Sequence, residues 1–265
     1  MLNLRSFESL RKENYVYVDK TEMVYELAER GKYYFLSRPR RFGKSLLVST
    51  IEAYFSGRKD LFKGLAIDEL EKDWECHPIL HLDLNTERYN TVDSLTDKLE
   101  ANLNDWEQLY GKNPVAKSFA TRFEYVIRYA YEKTGHPVVI LVDEYDKPML
   151  QAIGNEELQN EYRGILKGFY GALKSQDRYI RFALLTGVTK FGKVSVFSDL
   201  NNLQDLSMDA RYQALCGMTE DEVVRYFGEP IRALAIKNKL SEEETLARLK
   251  KRYDCLLYTS PSPRD

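Results

Sequence analysis

The sequence has little of what marks secreted, membrane or nucleic-acid-binding proteins. Its 265 residues include only three cysteines, Cys76, Cys216 and Cys255, without Cys-x-x-Cys spacing, so a disulfide framework is not expected. No apolar run approaches the roughly 20 residues that span a bilayer, and no signal-peptide core follows the N-terminal charges. The formal net charge of −2 lacks the basic field of non-specific nucleic-acid binding. We expect a cytoplasmic protein that does not associate with membranes, and contact with nucleic acid only through a local patch or another, missing domain.

Short apolar segments alternate with helical patterns along most of the chain. This alternation predicts an α/β fold with a mainly parallel sheet that helices cover on both faces, a three-layer sandwich. Strands are predicted at residues 15–18, 33–36, 79–84, 138–142 and 180–185. Helices are predicted at residues 19–30, 46–55, 92–109, 116–133 and 156–174, the first with Asp19 and Glu22 as a capping box.

The pattern changes twice near the C-terminus, which predicts three parts. A core of residues 1–218 precedes a helical part of residues 219–254, where Thr219/Glu222 and Ser241/Glu244 have capping-box spacing. The helical part is a lid or the start of a further C-terminal region. Residues 255–265 differ abruptly from the charged helix before them and resemble translated sequencing-adapter read-through, whereas a natural Ser-Pro linker is the alternative. Under either interpretation we expect the natural protein to continue beyond this chain.

The segment Ser37-Arg-Pro-Arg-Arg-Phe-Gly-Lys-Ser45 lies between a predicted strand and a predicted helix, the order that a phosphate-binding loop requires. In a Walker A loop, backbone N–H groups surround the phosphates, the lysine neutralises their oxygens and the hydroxyl ligates Mg²⁺. Arg38 stands where the generic pattern has its first glycine, so a surface loop of basic residues is the alternative. The residues expected at the nucleotide are Arg38, Pro39, Arg40, Arg41, Phe42, Gly43, Lys44, Ser45 and Leu46.

The segment Val138-Val-Ile-Leu-Val-Asp143-Glu144 is an aliphatic strand that ends in two carboxylates, the pattern of a Walker B motif. Ligands of open α/β sheets bind beyond the carboxyl ends of the strands. Asp143 is therefore expected to share Mg²⁺ with Ser45, and Glu144 to orient and deprotonate a water. A structural acidic turn after a buried strand is the alternative.

Further polar and aromatic residues are candidates for the same site. Thr186, at the end of the strand predicted at residues 180–185, is expected to contact the γ-phosphate or the water, or simply to begin a Thr-Gly turn. Arg40 and Arg41 would stabilise the transferring phosphate or flank the loop in solvent. The expected catalytic set is Glu144, Lys44, Thr186 and Arg41.

Four other residues have a less specific pattern. Tyr145 and Asp146 would position a neighbour or the metal shell, or form an exposed turn. Phe7 and Tyr17 would line an adenine pocket, although packing in the core is favoured. Zinc binding by Cys76, His77 and His81 is not favoured, because a fourth ligand is missing and an extended backbone sends adjacent residues to opposite faces.

The chain resembles the AAA-ATPase-like family of bacterial P-loop proteins over about residues 4–227. The resemblance is carried by Tyr17-Val-Asp-Lys-Thr21, the Arg-Pro-Arg-Arg-Phe loop, Val142-Asp-Glu-Tyr-Asp-Lys-Pro148 and Leu185-Thr-Gly-Val-Thr-Lys-Phe191. It implies an ATP-binding domain in which Arg38 is ordinary for the family. Family members often carry a C-terminal restriction-endonuclease-like domain, for which we find no Asp/Glu-x-Lys strand here.

These patterns together predict a Mg²⁺-dependent ATPase domain. The predicted strand order is that of ATPases that insert an additional strand between the Walker strands and use a catalytic glutamate. The domain would act as a switch or motor for a missing C-terminal effector, with a protein partner or a second copy of itself as further partners. A nucleotide-binding interaction module without hydrolysis and a small-molecule P-loop kinase are the alternatives.

Overall fold

A five-stranded sheet forms the centre of the computed structural model, which describes residues 6–190 and 203–257. The strands are β1 Tyr33–Ser37, β2 Ile79–Asp83, β3 Val138–Asp143, β4 Ile180–Gly187 and β5 Gln204–Asp205. Their spatial order is β2-β3-β4-β1-β5, and every adjacent pair is parallel. The prediction of an α/β fold with a mainly parallel sheet is confirmed.

Helices connect the strands and continue after the sheet. They are α1 Phe7–Lys12, α2 Thr21–Arg30, α3 Lys44–Phe55, α4 Lys59–Phe62, α5 Ala66–Leu70, α6 Val92–Tyr110, α7 Phe119–Thr134, α8 Lys147–Gln151, α9 Glu156–Ser175, α10 Glu220–Asn238 and α11 Glu242–Leu257. Among the described residues, no helix is both long enough and apolar enough to cross a membrane.

The hydrophobic core occupies both faces of the sheet. Side chains alternate along a strand, so Ile140 of β3 packs with helices α6, α7 and α9 on one face, whereas Val139 and Leu141 pack with α1, α2 and α3 on the other. All of β3 is buried, as expected for a central strand of a parallel sheet. The sheet is therefore the middle of three layers, and its loops carry the polar residues.

The N-terminal segment differs from the prediction. Residues 15–18 form no strand, because β1 is already paired with β4 on one side and with β5 on the other. Tyr17 instead packs edge-on against Phe7, with ring centroids 4.9 Å apart. The segment thus lies over the helices of one face rather than in the sheet.

The capping box predicted for Asp19 and Glu22 is wrong. Helix α2 has Lys20 as its N-cap residue, without a side-chain capping bond. The Asp19 carboxylate accepts hydrogen bonds from the Thr21 N–H at 2.9 Å and from the Ala66 N–H, at the start of α5, at 2.8 Å. Asp19 therefore ties the N-terminal segment to α5 instead of capping α2.

The two C-terminal helices begin with the predicted capping boxes. In α10, the Thr219 N–H donates to Glu222 Oε2 at 2.8 Å and the Glu222 N–H donates to Thr219 Oγ1 at 3.2 Å. Ser241 and Glu244 exchange equivalent bonds of 2.9 and 3.0 Å before α11. Glu222 also accepts a hydrogen bond from Lys20, so α10 is attached to the N-terminal segment.

The division into residues 1–218, 219–254 and 255–265 stays a prediction. Helix α11 runs to Leu257, so the first three residues of the predicted tail continue a helix. Residues 258–265, the rest of that tail, lie outside the described residues, as does Phe191 of the fourth motif.

Candidate nucleotide site

The loop between β1 and α3 curls around the Lys44 side chain. Gly43 precedes α3 with φ +88°, a left-handed conformation that favours glycine. The Lys44 ammonium donates to the carbonyl oxygens of Arg38 at 3.0 Å and Pro39 at 3.3 Å, and the residue is only 4% exposed. A buried cation thus lies at the N-terminus of a helix, where backbone N–H groups and the helix dipole favour an anion.

The arginines of the loop have different environments. The Arg38 guanidinium donates to the carbonyl oxygen of Ser207 at 2.7 Å, and its backbone N–H donates to Gly187 at 3.1 Å. Arg38 therefore joins the loop to the end of β4 and to the segment that follows β5. Arg40 and Arg41 are exposed at the loop surface, and Arg41 has φ +65°.

The carboxyl end of β3 faces the loop. Ser45 Oγ donates to Asp143 Oδ2 at 2.7 Å, and Thr186 Oγ1 at the end of β4 donates to the other carboxylate oxygen. Asp143 is 4% exposed and Thr186 is fully buried. Ser45 and Asp143, which are 98 positions apart in sequence, thus meet in one oxygen-rich cluster. Carboxylate and hydroxyl oxygens are ligands that suit Mg²⁺.

Glu144 lies beside this cluster in a strained conformation. Its φ is +56°, and its Oε1 lies 3.2 Å from the Lys44 ammonium. Burial raises the pKa of the Glu144 carboxyl above its ordinary value, although the nearby Lys44 charge opposes the shift. A perturbed carboxyl with left-handed backbone is typical of functional sites.

Asp146 positions residues of a neighbouring loop, which is one of the interpretations that the sequence offered. An exposed turn was one interpretation, but Asp146 is fully buried. Its carboxylate accepts hydrogen bonds from the Val188 N–H at 3.1 Å, the Thr189 N–H at 2.7 Å and the Thr189 hydroxyl at 2.8 Å. It therefore fixes the loop after β4 to the loop after β3. The sequence did not show which residues Asp146 positions, because that depends on the pairing of β3 with β4.

Tyr145 and Gly187 complete the same connection. The Tyr145 N–H donates to the Thr186 carbonyl oxygen at 2.9 Å, and its hydroxyl donates to the Thr189 carbonyl oxygen at 2.9 Å. A Cβ on Gly187 would lie 2.5 Å from the Tyr145 ring and 2.8 Å from Asp146 Oδ1. The close packing at Gly187 thus holds the end of β4, with Thr186, against the loop that follows β3.

A cavity of about 270 Å³ adjoins the loop. Its lining includes Tyr17, Phe42, Leu46, Gly217 and Phe227. Of the two aromatic residues proposed for an adenine pocket, Tyr17 lies at this cavity. Phe7 does not line it, because Phe7 is fully buried between Tyr17 and Phe62.

The cysteine and histidines considered for zinc have separate surroundings. Cys76 is exposed, His77 Nδ1 lies 2.8 Å from the Pro137 carbonyl oxygen, and His81 Nδ1 lies 3.1 Å from Glu52 Oε2. Within residues 6–190 and 203–257, no group of three or more His, Cys, Asp or Glu side chains is arranged to hold a metal ion.

A parallel α/β sheet that carries a Gly-Lys-Ser loop after β1 and an Asp-Glu pair after β3 is consistent with the P-loop nucleoside triphosphatase class. Residues 2–197 match the model of the AAA-ATPase-like family, described as "Predicted AAA-ATPase". The chain belongs to this family, and the resemblance found in the four motifs is confirmed. Membership suggests nucleotide binding.

The chain is also similar to a protein of Azotobacter chroococcum mcd 1 described as "Uncharacterized protein in vnfD 5'region". The two are 41% identical over 235 residues, which is 88% of this chain and 45% of the relative. The chain thus spans less than half the length of this relative.

Proposed function

We propose that this chain binds Mg-ATP at the loop between β1 and α3 and hydrolyses it. The observation that carries the proposal is the contact between the two motifs, Ser45 Oγ to Asp143 Oδ2 at 2.7 Å and Lys44 to Glu144 at 3.2 Å. A solitary Gly-Lys-Ser triplet could be a surface loop. A buried lysine and an adjacent serine that meet the Asp-Glu pair at the end of β3 are what phosphate and magnesium binding require.

The residues at the site fit magnesium and a triphosphate. Ser45 and Asp143 offer a hydroxyl and a carboxylate to the metal, whose charge would neutralise phosphate oxygens and make the terminal phosphorus more electrophilic. The Lys44 ammonium and the backbone N–H groups at the start of α3 would hold the β- and γ-phosphates. The loop residues Arg38 to Leu46 form the proposed phosphate cradle, with Arg41 as an exposed donor for the γ-phosphate.

Glu144 is the proposed base. Water would add to the terminal phosphorus while the bond to the bridging oxygen breaks, and the proton of the water would pass to the Glu144 carboxylate. Thr186, which bonds Asp143 and lies next to the Glu144 loop, is the proposed sensor of the terminal phosphate. Strand β4 lies between β1 and β3, which supports assignment to the additional-strand, catalytic-glutamate type.

Hydrolysis would serve as a switch or motor for an effector outside the described residues, on the same protein, on a partner or on a second copy. Two alternatives make different predictions for the purified chain. A binding module would retain Mg-ATP affinity without turnover. A small-molecule kinase would transfer the phosphate to an acceptor and would not need a glutamate directly after Asp143.

We predict that Lys44→Ala removes most Mg-ATP affinity, because the backbone donors alone cannot neutralise two phosphates. Calorimetric titration of the full chain measures this. Lys59→Ala is the control, because Lys59 is exposed on helix α4, away from the loop. Equal affinities for Lys44→Ala and the wild type would place the nucleotide elsewhere or nowhere.

A further inference from the structure

We propose that a polar cavity between α2, the end of α3 and the segment before β2 binds a primary ammonium group, with His77 and Glu75 as its acceptors. The cavity holds about 250 Å³ and reaches the start of β4 at Arg181. From Arg181, strand β4 runs roughly 20 Å to Gly187 at the candidate nucleotide site. The two sites are therefore separate, and ammonium binding does not require the proposed ATP binding.

The lining of the cavity carries a net negative charge. Its charged side chains are four carboxylates and one guanidinium: Glu29, Glu71, Asp73, Glu75 and Arg181. Arg181 donates to Glu29 Oε1 at 3.1 Å, whereas the other three carboxylates have no lysine or arginine partner within the described ranges. Glu71 accepts hydrogen bonds from Tyr54 and from two backbone N–H groups. Asp73 and Glu75 are therefore the carboxylates that can receive a cation.

His77 is a buried acceptor in the same wall. Its side chain is only 5% exposed, and its Nδ1 lies 2.8 Å from the Pro137 carbonyl oxygen. A carbonyl oxygen only accepts, so Nδ1 carries the proton. Burial lowers the pKa of the His77 ring below its ordinary value, although Pro137 and Glu75 oppose the shift. The ring is therefore neutral at about pH 7, and Nε2 holds a lone pair.

The Nε2 lone pair faces a carboxylate instead of a donor. Nε2 lies 3.5 Å from Glu75 Oε2, and in the part of the chain that the structure describes no N–H or O–H group donates to it. Two acceptors this close repel each other unless a donor bonds to both. An ammonium group has three N–H donors, and its positive charge strengthens the hydrogen bond to the carboxylate.

The size and surface of the cavity suit a short alkyl ammonium ion. Its volume is below the roughly 300 Å³ of the smallest pockets for drug-sized ligands. Tyr25, Tyr54 and Phe55 complete the lining, and aromatic surface accommodates both methylene groups and a cation. A metal ion suits the cavity less, because no group of three or more His, Cys, Asp or Glu among the described residues is arranged to hold one.

A free amine and the lysine side chain of a partner protein offer the same ammonium group, and calorimetry on the full chain distinguishes them. The probes are diaminobutane and Nα-acetyl-lysine methylamide, and butanediol is the uncharged control. We expect at least one probe to bind in the millimolar range or tighter, as one or two charge-assisted hydrogen bonds allow, and butanediol not to bind. The probe with the higher affinity identifies the source of the ammonium group.

Substitutions of the two acceptors test the geometry. We expect Glu75→Gln to weaken binding about threefold, because Glu75 is exposed and its charge is partly screened. Glu69→Gln is the matched control, because Glu69 is an exposed carboxylate of α5 that does not line the cavity. His77→Asn should weaken binding about tenfold, because asparagine retains a side-chain N–H for Pro137 but lacks the Nε2 acceptor. Circular dichroism checks the fold of each variant.

Nitrogen NMR of the His77 ring is an independent measurement. We expect a neutral ring with its proton on Nδ1 at about pH 7, and a shift of the Nε2 resonance when the probe is added. If His77→Asn does not fold, this measurement and Glu75→Gln decide. A protonated ring, no binding of either probe, or an equal loss in Glu75→Gln and Glu69→Gln would overturn the ammonium site.

Discussion

At the scale of single residues, two positions with strained backbone lie at the candidate nucleotide site. Arg41 and Glu144 are two of five non-glycine residues with positive φ in the described part of the chain. Each such conformation costs on the order of 1 to 3 kcal/mol and persists only where neighbours hold it. At Glu144, two hydrogen bonds stabilise this conformation. The Tyr145 N–H donates to the Thr186 carbonyl oxygen, and the Lys147 N–H donates to the Glu144 carbonyl oxygen at 3.0 Å.

As the proposed base, Glu144 would make hydrolysis sensitive to acid. Burial raises the pKa of its carboxyl above the ordinary 4.5, and Asp143 adds to the shift while Lys44 opposes it. A base must be deprotonated, so turnover should be present above the raised pKa and fall as pH decreases through it. We predict that kcat declines at a pH above 4.5 while the fold, followed by circular dichroism, is intact. A kcat that stays constant down to the pKa of an ordinary glutamate would contradict this.

A substitution of Gly187 tests the close contact between the end of β4 and the loop that follows β3. Gly187→Ala should lower the free energy of unfolding by about 1 to 3 kcal/mol, because the added methyl group meets the Tyr145 ring and Asp146 in a packed interior. Urea denaturation measures it. Gly164→Ala in α9 is the control: its Cβ meets nothing within 4 Å, so stability should be unchanged or rise by about 0.5 to 1 kcal/mol. Equal effects at both glycines would show that the contact is not tight.

At the scale of elements, one buried ion pair holds α6 against α7. Arg122 donates to both carboxylate oxygens of Glu107, at 2.8 and 2.9 Å, and to Glu100 Oε2 at 2.6 Å. Both members of the Arg122–Glu107 pair are more than nine-tenths buried. The Arg122 guanidinium holds the pKa of Glu107 below its ordinary value.

Arg122→Ala should therefore lower the free energy of unfolding by about 3 to 5 kcal/mol, because it leaves the buried Glu107 charge with only the exposed Lys112, 3.5 Å away, as a partner. Urea denaturation measures the loss, and the double variant Arg122→Met/Glu107→Leu should lose less. Arg128→Ala, which breaks an exposed pair on the same helix, should cost less than about 1 kcal/mol. A loss of that small size for Arg122→Ala would mean that the pair is solvated.

The elements that the sequence predicted well are those with strong local signals. The aliphatic run of β3 and the capping boxes of α10 and α11 determine their own conformations. The segment at residues 15–18 has a strand pattern as well, but its structure depends on whether a strand partner is free, and both sides of β1 are occupied. The two-residue strand β5 is too short to have a pattern of its own.

At the scale of the whole molecule, the sheet order assembles the site. Because β4 lies between β1 and β3, Thr186 ends up next to Asp143, and the loop before α3 faces both. From motifs whose residue types are tied to phosphate chemistry, the sequence predicted that Lys44, Ser45 and Glu144 share one site, and the structure brings the two motifs together. It could not predict the burial of Asp146, because that burial depends on which distant segments become neighbours.

The most direct test of the central claim, that Asp143 and Glu144 serve metal and water at one ATP site, uses two adjacent substitutions. Glu144→Gln should retain Mg-ATP affinity and lose turnover by on the order of 10² to 10⁴, because the amide cannot accept a proton. Asp143→Asn should instead weaken the magnesium dependence of binding. Affinity and turnover are measured on wild type and both variants in one buffer. Hydrolysis by Glu144→Gln at the wild-type rate would contradict the account.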